Sequence, residues 1–330
     1  MTSLYPLRFD PIYQYRPWGG RRLSDLMSAP LPADGPIGEA WILSDRDDQT
    51  SRVSNGPLRG HTIRRLLDHY PAEMMGHGDW TGRFPLLLKF LDVSGALSVQ
   101  VHPSDQQTGS LPAGETGKTE AWVVLAVGPE GLVYAGLDPG QNLATLTQAV
   151  ADGSLADHVS CFKPTPGDAV FVPAGVVHAL RDVVVFEVQQ NSDVTFRLFD
   201  WDRVDPRTGK LRSLQVEAAL ASIDFPQEPV SPAVATLDAT TPARRERLLT
   251  APQFALWRLQ AEAPCTVGAD REPRAVICIE GHGRIGPPDG AAEVRPGDTW
   301  LLPADVGSTV LSPGQPMTVL EVGLGGGAKQ

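Results

Sequence analysis

The chain has 330 residues, 42% of them hydrophobic and 20% charged, a composition typical of globular proteins. Its formal net charge of -11 excludes a broad nucleic-acid or anionic-membrane surface, because such partners would be repelled at long range. The three cysteines form no C-x-x-C pair, and neither a signal-type h-region nor a run of about 18 apolar residues is present, so we expect a cytoplasmic protein without disulfides.

Short apolar runs bounded by Gly, Pro or Asp predict strands along the first two thirds of the chain. They lie at Ala40–Ser44, Leu86–Val101, Glu120–Val127, Ala169–Val172, Val183–Gln190 and Val194–Phe199. Helical patterns are fewer. The candidates are Ile63–Met75, Leu143–Val150 and a third segment with Val216, Leu220 and Ile223 at i, i+4 and i+7. We therefore predict a β-barrel or sandwich decorated by a few helices.

The stretch Phe225–Pro242 is rich in proline and poor in β-periodic content, which is typical of a linker. Further strands are predicted beyond it. They lie at Phe254–Gln260, Ala275–Glu280, Thr299–Leu302 and Met317–Val322. We therefore divide the chain into a first domain, residues 1–228, and a second β domain, residues 229–330.

One segment of the first domain has a counterpart in the second. GDAVFVPAGVVHAL, residues 167–180, aligns without gaps to GDTWLLPADVGSTVL, which begins at residue 297. In this register His178 falls opposite Ser308. We interpret the similarity as duplication of a β domain whose second copy lacks this histidine. The alternative is chance recurrence of Gly-Asp turns before apolar strands.

Polar side chains recur on one face of several predicted strands. In LSVQVHP, period-two alternation places Ser98, Gln100 and His102 on a common face. The same rule groups Lys118 with Glu120 in GKTEAWVV. These side chains stand where a simple β-core requires aliphatic residues, and such violations tend to mark function.

Two later strands show the same pattern. VVVFEVQQ sends Glu187 and Gln189 to one face, and VTFRLFDW isolates Thr195 and Arg197 from apolar neighbours. A charge buried alone costs several kcal/mol, whereas a divalent cation ringed by imidazoles and a carboxylate compensates the groups it desolvates. One shared metal explains the pattern economically.

Two imidazole nitrogens and one or two oxygens suit Zn²⁺, although Mn²⁺, Fe²⁺ and Co²⁺ accept the same ligand types. The candidate donors are Gln100, His102, Glu120 and His178. Because no cysteine joins them, an open coordination position for water or substrate is expected. This indicates a catalytic metal rather than a structural one.

Each of these residues also has a structural interpretation. His102 and His178 can be satisfied strand-end histidines, and Lys118 with Glu120 can form a weak surface ion pair. Glu187 and Arg197 can likewise form a structural ion pair. Their joint occurrence in one domain favours a functional site. The histidines expected to be structural or on the surface are His61, His69, His77, His158 and His282.

QVHPSD, GKTEAW, GDAVFVPAGVVHAL and NSDVTFRLFDWDR occur in that order, and the chain thereby resembles the type I mannose-6-phosphate isomerases, particularly the short bacterial form. The similarity runs from about Tyr13 through Arg203, including RPWGG, GEAWILSD and PLLLKFLDVSGALSVQVHPSD, and is weak beyond residue 230. The family consists of zinc enzymes of the cupin superfamily. The resemblance implies a mainly β fold of two jelly-roll, cupin-like barrel domains, with the catalytic metal in the first. Ser308 in place of a histidine indicates that the second domain holds no equivalent metal.

The zinc ligands of the family are the Gln and His of Q-x-H-P, the Glu of K-x-E and the His of P-x-x-x-H-A. They match Gln100, His102, Glu120 and His178. The family's active-site lysine, the acidic residue on the next strand and the arginine after N-S-D match Lys118, Glu187 and Arg197. Longer eukaryotic members carry a tyrosine where this chain has Leu180, so that residue's role is not transferred.

The resemblance implies one Zn²⁺ per chain and interconversion of mannose 6-phosphate and fructose 6-phosphate through a cis-enediolate. Glu187 is the first candidate for the carbon base, with Lys118 and Arg197 as cations for phosphate or enediolate. The expected partner is a small sugar phosphate, with no nucleic acid and no membrane, and the chain is expected to be a monomer or homodimer.

Two alternatives belong to other classes. A non-catalytic sugar- or metabolite-binding cupin could dispense with Lys118, Glu187 and Arg197. A metal-dependent oxygenase would use a 2-His-1-carboxylate triad, which differs from a set that also contains a glutamine.

Overall fold

The computed structural model describes residues 4–107, 111–287 and 289–326, and within them the protein is mainly β. Four short α-helices occur in these residues. They are α1 (Ile63–His69), α2 (Pro71–Met75), α3 (Leu143–Asp152) and α4 (Val216–Ser222). None of the described helices is long and apolar enough to cross a membrane.

The strands before the proline-rich stretch include the predicted ones and add others before, between and after them. They are β1 (Leu7–Arg8), β2 (Ile12–Gly20), β3 (Ile37–Leu43), β4 (Asp45–Arg46), β5 (Gln49–Thr50), β6 (Leu86–Ala96), β7 (Val99–Val101), β8 (Glu120–Leu137), β9 (Val159–Phe162), β10 (Ala169–Val172), β11 (His178–Gln190), β12 (Phe196–Phe199), β13 (Val204–Asp205) and β14 (Lys210–Leu211).

The strands of the second half begin inside the proline-rich stretch. They are β15 (Thr236–Ala239), β16 (Ala243–Thr250), β17 (Phe254–Ala261), β18 (Cys265–Gly268), β19 (Arg274–Glu280), β20 (Gly283–Ile285), β21 (Ala292–Val294), β22 (Thr299–Leu302), β23 (Ser308–Pro313) and β24 (Met317–Leu324).

Strands of the first half form a nine-stranded sheet. Its main path runs β10-β8-β11-β6-β2-β3, and β6 also pairs with β3. Off this path, β7 pairs with β11 and β12, and β9 pairs with β8. All of these pairs are antiparallel. The strands that carry the predicted polar positions, β7, β8, β11 and β12, are therefore joined through β11 and β7.

The second half repeats this arrangement. A seven-stranded sheet runs β1-β22-β19-β24-β17-β16-β15, and a four-stranded sheet runs β18-β23-β20-β21. The five strands from β22 to β16 have the same chain order and the same neighbours as β10, β8, β11, β6 and β3 of the first sheet. This correspondence is what duplication of a β unit predicts.

The two segments that match in sequence also match in local structure. Gly167 and Gly297 precede β10 and β22 and have φ angles of 96° and 82°, a conformation that favours glycine. His178 and Ser308 then open β11 and β23. The aligned segments therefore share the glycine turn before one strand and the start of the next strand along the chain.

One hydrophobic core joins the two halves. It includes Phe90 and Phe186 of the first half together with Phe254 and Leu320 of the second, all fully buried. Strand β1 also crosses between the halves, because Leu7 pairs with a residue of β22. The division at residue 228 stays a prediction, and the N-terminal residues belong physically to the second sheet.

Three elements differ from the predicted ones. Pro71 divides the predicted helix 63–75, because proline lacks the N–H that continues a helix and suits the first helical position of α2. Leu97 and Ser98 interrupt the predicted strand 86–101 between β6 and β7. The predicted linker contains β15, which pairs with β16 at the edge of the second sheet.

Candidate metal centre and adjoining cavity

The two histidines predicted as ligands lie side by side. His178, the first residue of β11, pairs with Gln100 of β7, and His102 follows β7 directly. The imidazole centroids of His102 and His178 are 4.7 Å apart. Neither residue is more than 1% exposed. The period-two pattern thus brings both rings to one buried place.

Backbone carbonyls orient both imidazoles. Nδ1 of His102 lies 2.9 Å from the carbonyl oxygen of Val194, and Nδ1 of His178 lies 2.9 Å from that of Val176. Because a carbonyl can only accept, each Nδ1 carries the proton and each Nε2 presents a lone pair. Metal-binding histidines are commonly held in this way.

Glu120, the first residue of β8, faces both Nε2 atoms. Its Oε1 lies 3.3 Å from Nε2 of His178, and its Oε2 lies 3.4 Å from Nε2 of His102. The ligand atoms of these three residues all lie within 4.8 Å of one another. Across residues 4–107, 111–287 and 289–326, no other group of three or more His, Cys, Asp or Glu side chains has this arrangement.

The charge state of this cluster favours a bound cation. Burial, together with the Lys118 ammonium, lowers the pKa of His102 to about 3, and burial lowers the pKa of His178. Both imidazoles are therefore neutral near pH 7, so two lone pairs and a carboxylate face one another. The Lys118 Nζ atom, 2.7 Å from Glu120 Oε2 and 3.2 Å from His102 Nε2, offsets part of this charge. The donor set fits a divalent ion.

The side-chain amide of Gln100 borders the cluster. Its Nε2 lies 3.2 Å from Nε2 of His178, and its Oε1 accepts a hydrogen bond from Ser98 Oγ at 3.1 Å. A half-turn of the amide exchanges its oxygen and nitrogen. The structure thus brings Gln100 to the cluster, and its role as an oxygen ligand stays a prediction.

A series of alternating charges extends from the cluster. Nζ of Lys89 lies 3.3 Å from Oε1 of Glu187 and 4.0 Å from Oε2 of Glu39. Glu39 accepts hydrogen bonds from Arg16 at 2.9 and 3.1 Å. The Trp122 indole N–H donates to Oε2 of Glu187 at 3.0 Å. These contacts fix the carboxylate of Glu187 in one orientation.

The two glutamates of this series have opposite pKa shifts. Burial and the Glu120 carboxylate raise the pKa of Glu187, against the opposing charge of Lys89. Burial also acts to raise the pKa of Glu39, but Arg16 and Lys89 outweigh it and lower the pKa to about 2. Glu39 is therefore a fixed negative charge, and Glu187 is the carboxylate more easily protonated.

Lys89 is absent from the predicted site. It is a single charge within the apolar run 86–91 and only 3% exposed. This is the same violation of core patterning that drew attention to Gln100 and Glu187. The signal was therefore present in the sequence. Arg16 and Glu39 are further residues that sequence reasoning missed.

A cavity of about 370 Å³ adjoins the cluster. The predicted site residues that line it are Gln100, Lys118, Glu187 and Arg197. Arg197 of β12 pairs in register with Gln100 of β7, which places it on the same wall. The predicted residues buried beside them are His102, Glu120 and His178. The structure thus brings all seven predicted site residues together.

Other histidines have ordinary polar partners. His77 Nδ1 lies 2.8 Å from Asp79, and His158 Nδ1 lies 3.2 Å from Oε1 of Gln141. Neither belongs to the cluster. This agrees with the structural or surface role predicted for them.

Comparison with known proteins points to one family. The profile described as "Phosphomannose isomerase type I, catalytic domain" matches residues 7–119. Mannose-6-phosphate isomerase ManA of Bacillus subtilis (strain 168) is 33% identical over 314 residues, covering 92% of this chain and 94% of the relative. A mannose-6-phosphate isomerase of Streptococcus mutans is 31% identical over 295 residues, covering 88% and 90%.

The fold agrees with this relationship. The crystal structure of the mannose 6-phosphate isomerase from Bacillus subtilis matches with a TM-score of 0.88 at 28% identity, covering 97% of this chain and 99% of that chain. Similarity thus extends over both halves, including the second half in which the sequence resemblance was weak. The chain belongs to the type I phosphomannose isomerase family.

Proposed function

We propose that this protein is a zinc-dependent isomerase that interconverts mannose 6-phosphate and fructose 6-phosphate. The observation that carries the proposal is the buried cluster of His102, Glu120 and His178 beside a cavity lined by Lys118, Glu187 and Arg197. Relatives named mannose-6-phosphate isomerase match nearly the whole chain. The reaction is a proton transfer between C1 and C2 through a cis-enediolate.

One Zn²⁺ per chain would be held by the imidazole Nε2 atoms of His102 and His178, the Glu120 carboxylate and the side-chain amide oxygen of Gln100. The ion would supply Lewis-acid stabilisation of negative charge on a substrate oxygen. The hydrogen bonds from both Nδ1 atoms to backbone carbonyls support this assignment, because they keep both Nε2 lone pairs available before any ion binds. No organic cofactor is needed for such chemistry.

Glu187 is the residue we assign as the carbon base. Burial raises the pKa of its carboxyl group, which makes the carboxylate a stronger base than an exposed glutamate. Trp122 holds one oxygen, and the other faces the Lys89 ammonium. Glu187 would take a proton from one substrate carbon and return it to the neighbouring carbon.

Lys118 and Arg197 would provide positive charge for the substrate. Glu120 and Glu187 raise the pKa of Lys118 despite its burial, so Lys118 stays an ammonium at neutral pH. It can donate to an oxygen that becomes negative during proton transfer. Burial lowers the pKa of Arg197, yet a guanidinium stays charged at neutral pH, and Arg197 would contact the phosphate.

We further propose that each half is a jelly-roll barrel and that the second barrel binds no metal. The matching strand order of the two main sheets supports this organisation. Limited proteolysis tests the division at residue 228. Cleavage confined to residues 225–235, which contain no helix or strand, supports two barrels joined there, whereas resistance of this segment argues for one inseparable unit.

The deciding experiment is a coupled assay of fructose 6-phosphate formation from mannose 6-phosphate. We expect turnover by the purified protein, its loss after complete chelation and its recovery when Zn²⁺ is returned. Activity that survives complete metal removal would overturn the mechanism. A protein that binds zinc and sugar phosphate without turnover would instead be the non-catalytic cupin.

A further inference from the structure

The cavity contains a second group of positive side chains. Three arginines, Arg16, Arg197 and Arg212, line it in addition to the lysines near the metal cluster. They accumulate in a protein whose formal net charge is -11. Local positive charge of this kind is how an acidic protein can hold an anionic ligand.

The hairpin formed by β13 and β14 positions Arg212, which directly follows β14. Asp205 of the hairpin lies 3.4 Å from the hydroxyl of Tyr15 and, like Tyr15, lines the cavity. The guanidinium of Arg207, at the turn, lies over the Tyr15 ring at 3.4 Å. These contacts fix the hairpin against the cavity wall.

Two hydrogen bonds between Gln215 and Arg197 fix the segment that carries Arg212. The N–H of Gln215 donates to the carbonyl oxygen of Arg197 at 2.9 Å, and the N–H of Arg197 donates to Oε1 of Gln215 at 3.2 Å. The segment that carries Arg212 is therefore bound to the strand that carries Arg197. The two guanidinium groups belong to one rigid wall.

Carboxylates neutralise these arginines unequally. Arg16 has a bidentate partner in Glu39. Asp200 is bound directly by Arg203, and Arg212 reaches the same oxygen only at 3.5 Å. Among the described residues, no carboxylate oxygen lies within 4.0 Å of the Arg197 guanidinium, and its Nε lacks a hydrogen-bond partner.

Arg212 and Arg197 therefore leave positive charge facing the cavity. Burial and the nearby Arg197 lower the pKa of Arg212 to about 10. Proximity of these like charges is unfavourable, and an anion bound between them would relieve the repulsion. A phosphate dianion matches two guanidinium groups in charge and in hydrogen-bond geometry.

We propose that Arg212 is a phosphate-binding residue of this site, acting with Arg197 on the phosphate of the sugar substrate. The identity of the ligand as a sugar phosphate rests on the proposed function, whereas the anion site itself does not. The hairpin of β13 and β14 then determines specificity for phosphorylated sugars, although it contributes no metal ligand.

The test compares Arg212→Gln and Arg212→Lys with the wild type in the zinc-loaded full-length protein. Removing a charged hydrogen bond to phosphate raises KM for mannose 6-phosphate about 10- to 100-fold in Arg212→Gln. We expect kcat to change by less than about threefold, because the phosphate is the same in the ground state and in the transition state. Arg212→Lys should recover part of the affinity, because lysine keeps the positive charge.

Lys210→Gln is the matched control. It removes one positive charge from the same hairpin, but Lys210 is exposed and does not line the cavity. We expect its KM to stay within about twofold of the wild type, since exposed charges are screened. Equal effects of Lys210→Gln and Arg212→Gln would reduce the result to long-range charge and overturn the proposal.

Unphosphorylated mannose separates binding of phosphate from a structural role. If Arg212 binds phosphate, kcat/KM for mannose is the same in wild type and Arg212→Gln. A parallel loss with both substrates, together with a lower melting temperature, means that Arg212 only holds the wall through Asp200 and overturns the proposal.

Calorimetric titration with inorganic phosphate keeps the proposal testable if the proposed reaction is wrong. A wild-type protein that does not isomerise mannose 6-phosphate refutes the function, not the anion site. Weaker phosphate binding by Arg212→Gln than by wild type and Lys210→Gln still supports the site. Equal phosphate binding by all three proteins overturns it.

Discussion

Lys89 Nζ lies 3.3 Å from Oε1 of Glu187, and both side chains are at least 96% buried. The ammonium is the nearest positive charge that opposes the effect of burial on the Glu187 carboxyl group. The ionisation of the assigned base therefore depends on a residue that belongs to neither the metal cluster nor the predicted site. This relationship leads to the first prediction.

Replacing Lys89 with methionine raises the pKa of Glu187 further, because the carboxylate loses its ion-pair partner. The base must be ionised, so activity rises with pH through its pKa, and the acidic limb of the kcat profile moves to higher pH. We expect kcat at pH 7 to fall about 100-fold. Lys163→Met, at an exposed position, is the control and leaves the profile unchanged. An unshifted acidic limb in Lys89→Met would contradict this role.

Glu187→Gln removes the base and keeps the shape of the side chain. We expect kcat to fall by a factor of about 10² to 10⁴, the usual contribution of a positioned acid or base. Bound zinc, measured by elemental analysis, should stay at one per chain, because Glu187 is not an assigned ligand. Full turnover by zinc-loaded Glu187→Gln would show that another residue is the carbon base.

His178→Ala removes one imidazole from the centre of the cluster. We expect zinc affinity to fall by at least about 100-fold, since even the partners of metal ligands contribute factors of that order. Competition with a chromophoric chelator measures the affinity. His158→Ala is the matched control, because His158 contacts Gln141 and lies outside the cluster. Equal zinc affinity in both variants would exclude His178 as a ligand.

Ionisation of Glu39 makes the free energy of unfolding depend on pH in the acidic range. Its folded-state pKa of about 2 lies below the ordinary value of 4.5, because Arg16 and Lys89 outweigh the effect of burial. Its stabilisation is therefore present above pH 4.5 and is lost as the pH falls from 4.5 towards 2. The contribution is on the order of 3 kcal/mol. Urea unfolding at pH 6 and pH 3 measures it. Glu39→Gln should lower stability at pH 6 and show a smaller loss on acidification; an unchanged pH dependence would contradict the assignment.

Thiol reactivity distinguishes the three cysteines. Cys161 is exposed, whereas Cys265 and Cys278 are buried. Burial raises the pKa of both buried thiols, that of Cys278 to about 12, so little reactive thiolate forms at pH 8. A disulfide reagent should modify one thiol per native chain and three per unfolded chain. Cys161→Ser should remove the native reaction, and rapid labelling that persists in this variant would show that a buried cysteine is accessible.

The cluster of His102, Glu120 and His178 was predictable from the sequence because strand periodicity is a local property. Gln100 and His102 share a face by counting two residues along one strand. The cross-strand pairs of Gln100 with His178 and with Arg197 then place the remaining groups on that face. Once the strands are identified, alternation alone restricts which side chains can meet.

The wall formed by Arg212 was not predictable in the same way. Its position depends on the contact of the hairpin with Tyr15 and on the hydrogen bonds between Gln215 and Arg197. These contacts join segments that are distant along the chain, and no periodic pattern records them. Lys89 is an intermediate case, since the apolar run around it predicts its burial but does not identify Glu187 as its partner.

The proposal that the second half binds no metal has a physical basis beyond one missing histidine. Arg274 opens β19 opposite the last residue of β22, just as Glu120 opens β8 opposite the last residue of β10. Nε of Arg274 lies 3.6 Å from Oε1 of Glu321, which is fully buried. A positive side chain thus stands at the position that Glu120 occupies in the first half, and it contacts a buried glutamate there.

The short strand β1 imposes an order on the assembly of the protein. Leu7 pairs with Leu301, and Arg8 forms an ion pair with Asp298 at 3.0 Å. Since a chain is synthesised from its amino terminus, these residues precede their partner strand by about 290 residues. Closing so large a loop is slow compared with forming local hairpins. Until residues 299–302 have been synthesised, β1 has no partner strand and is open to pairing with other molecules.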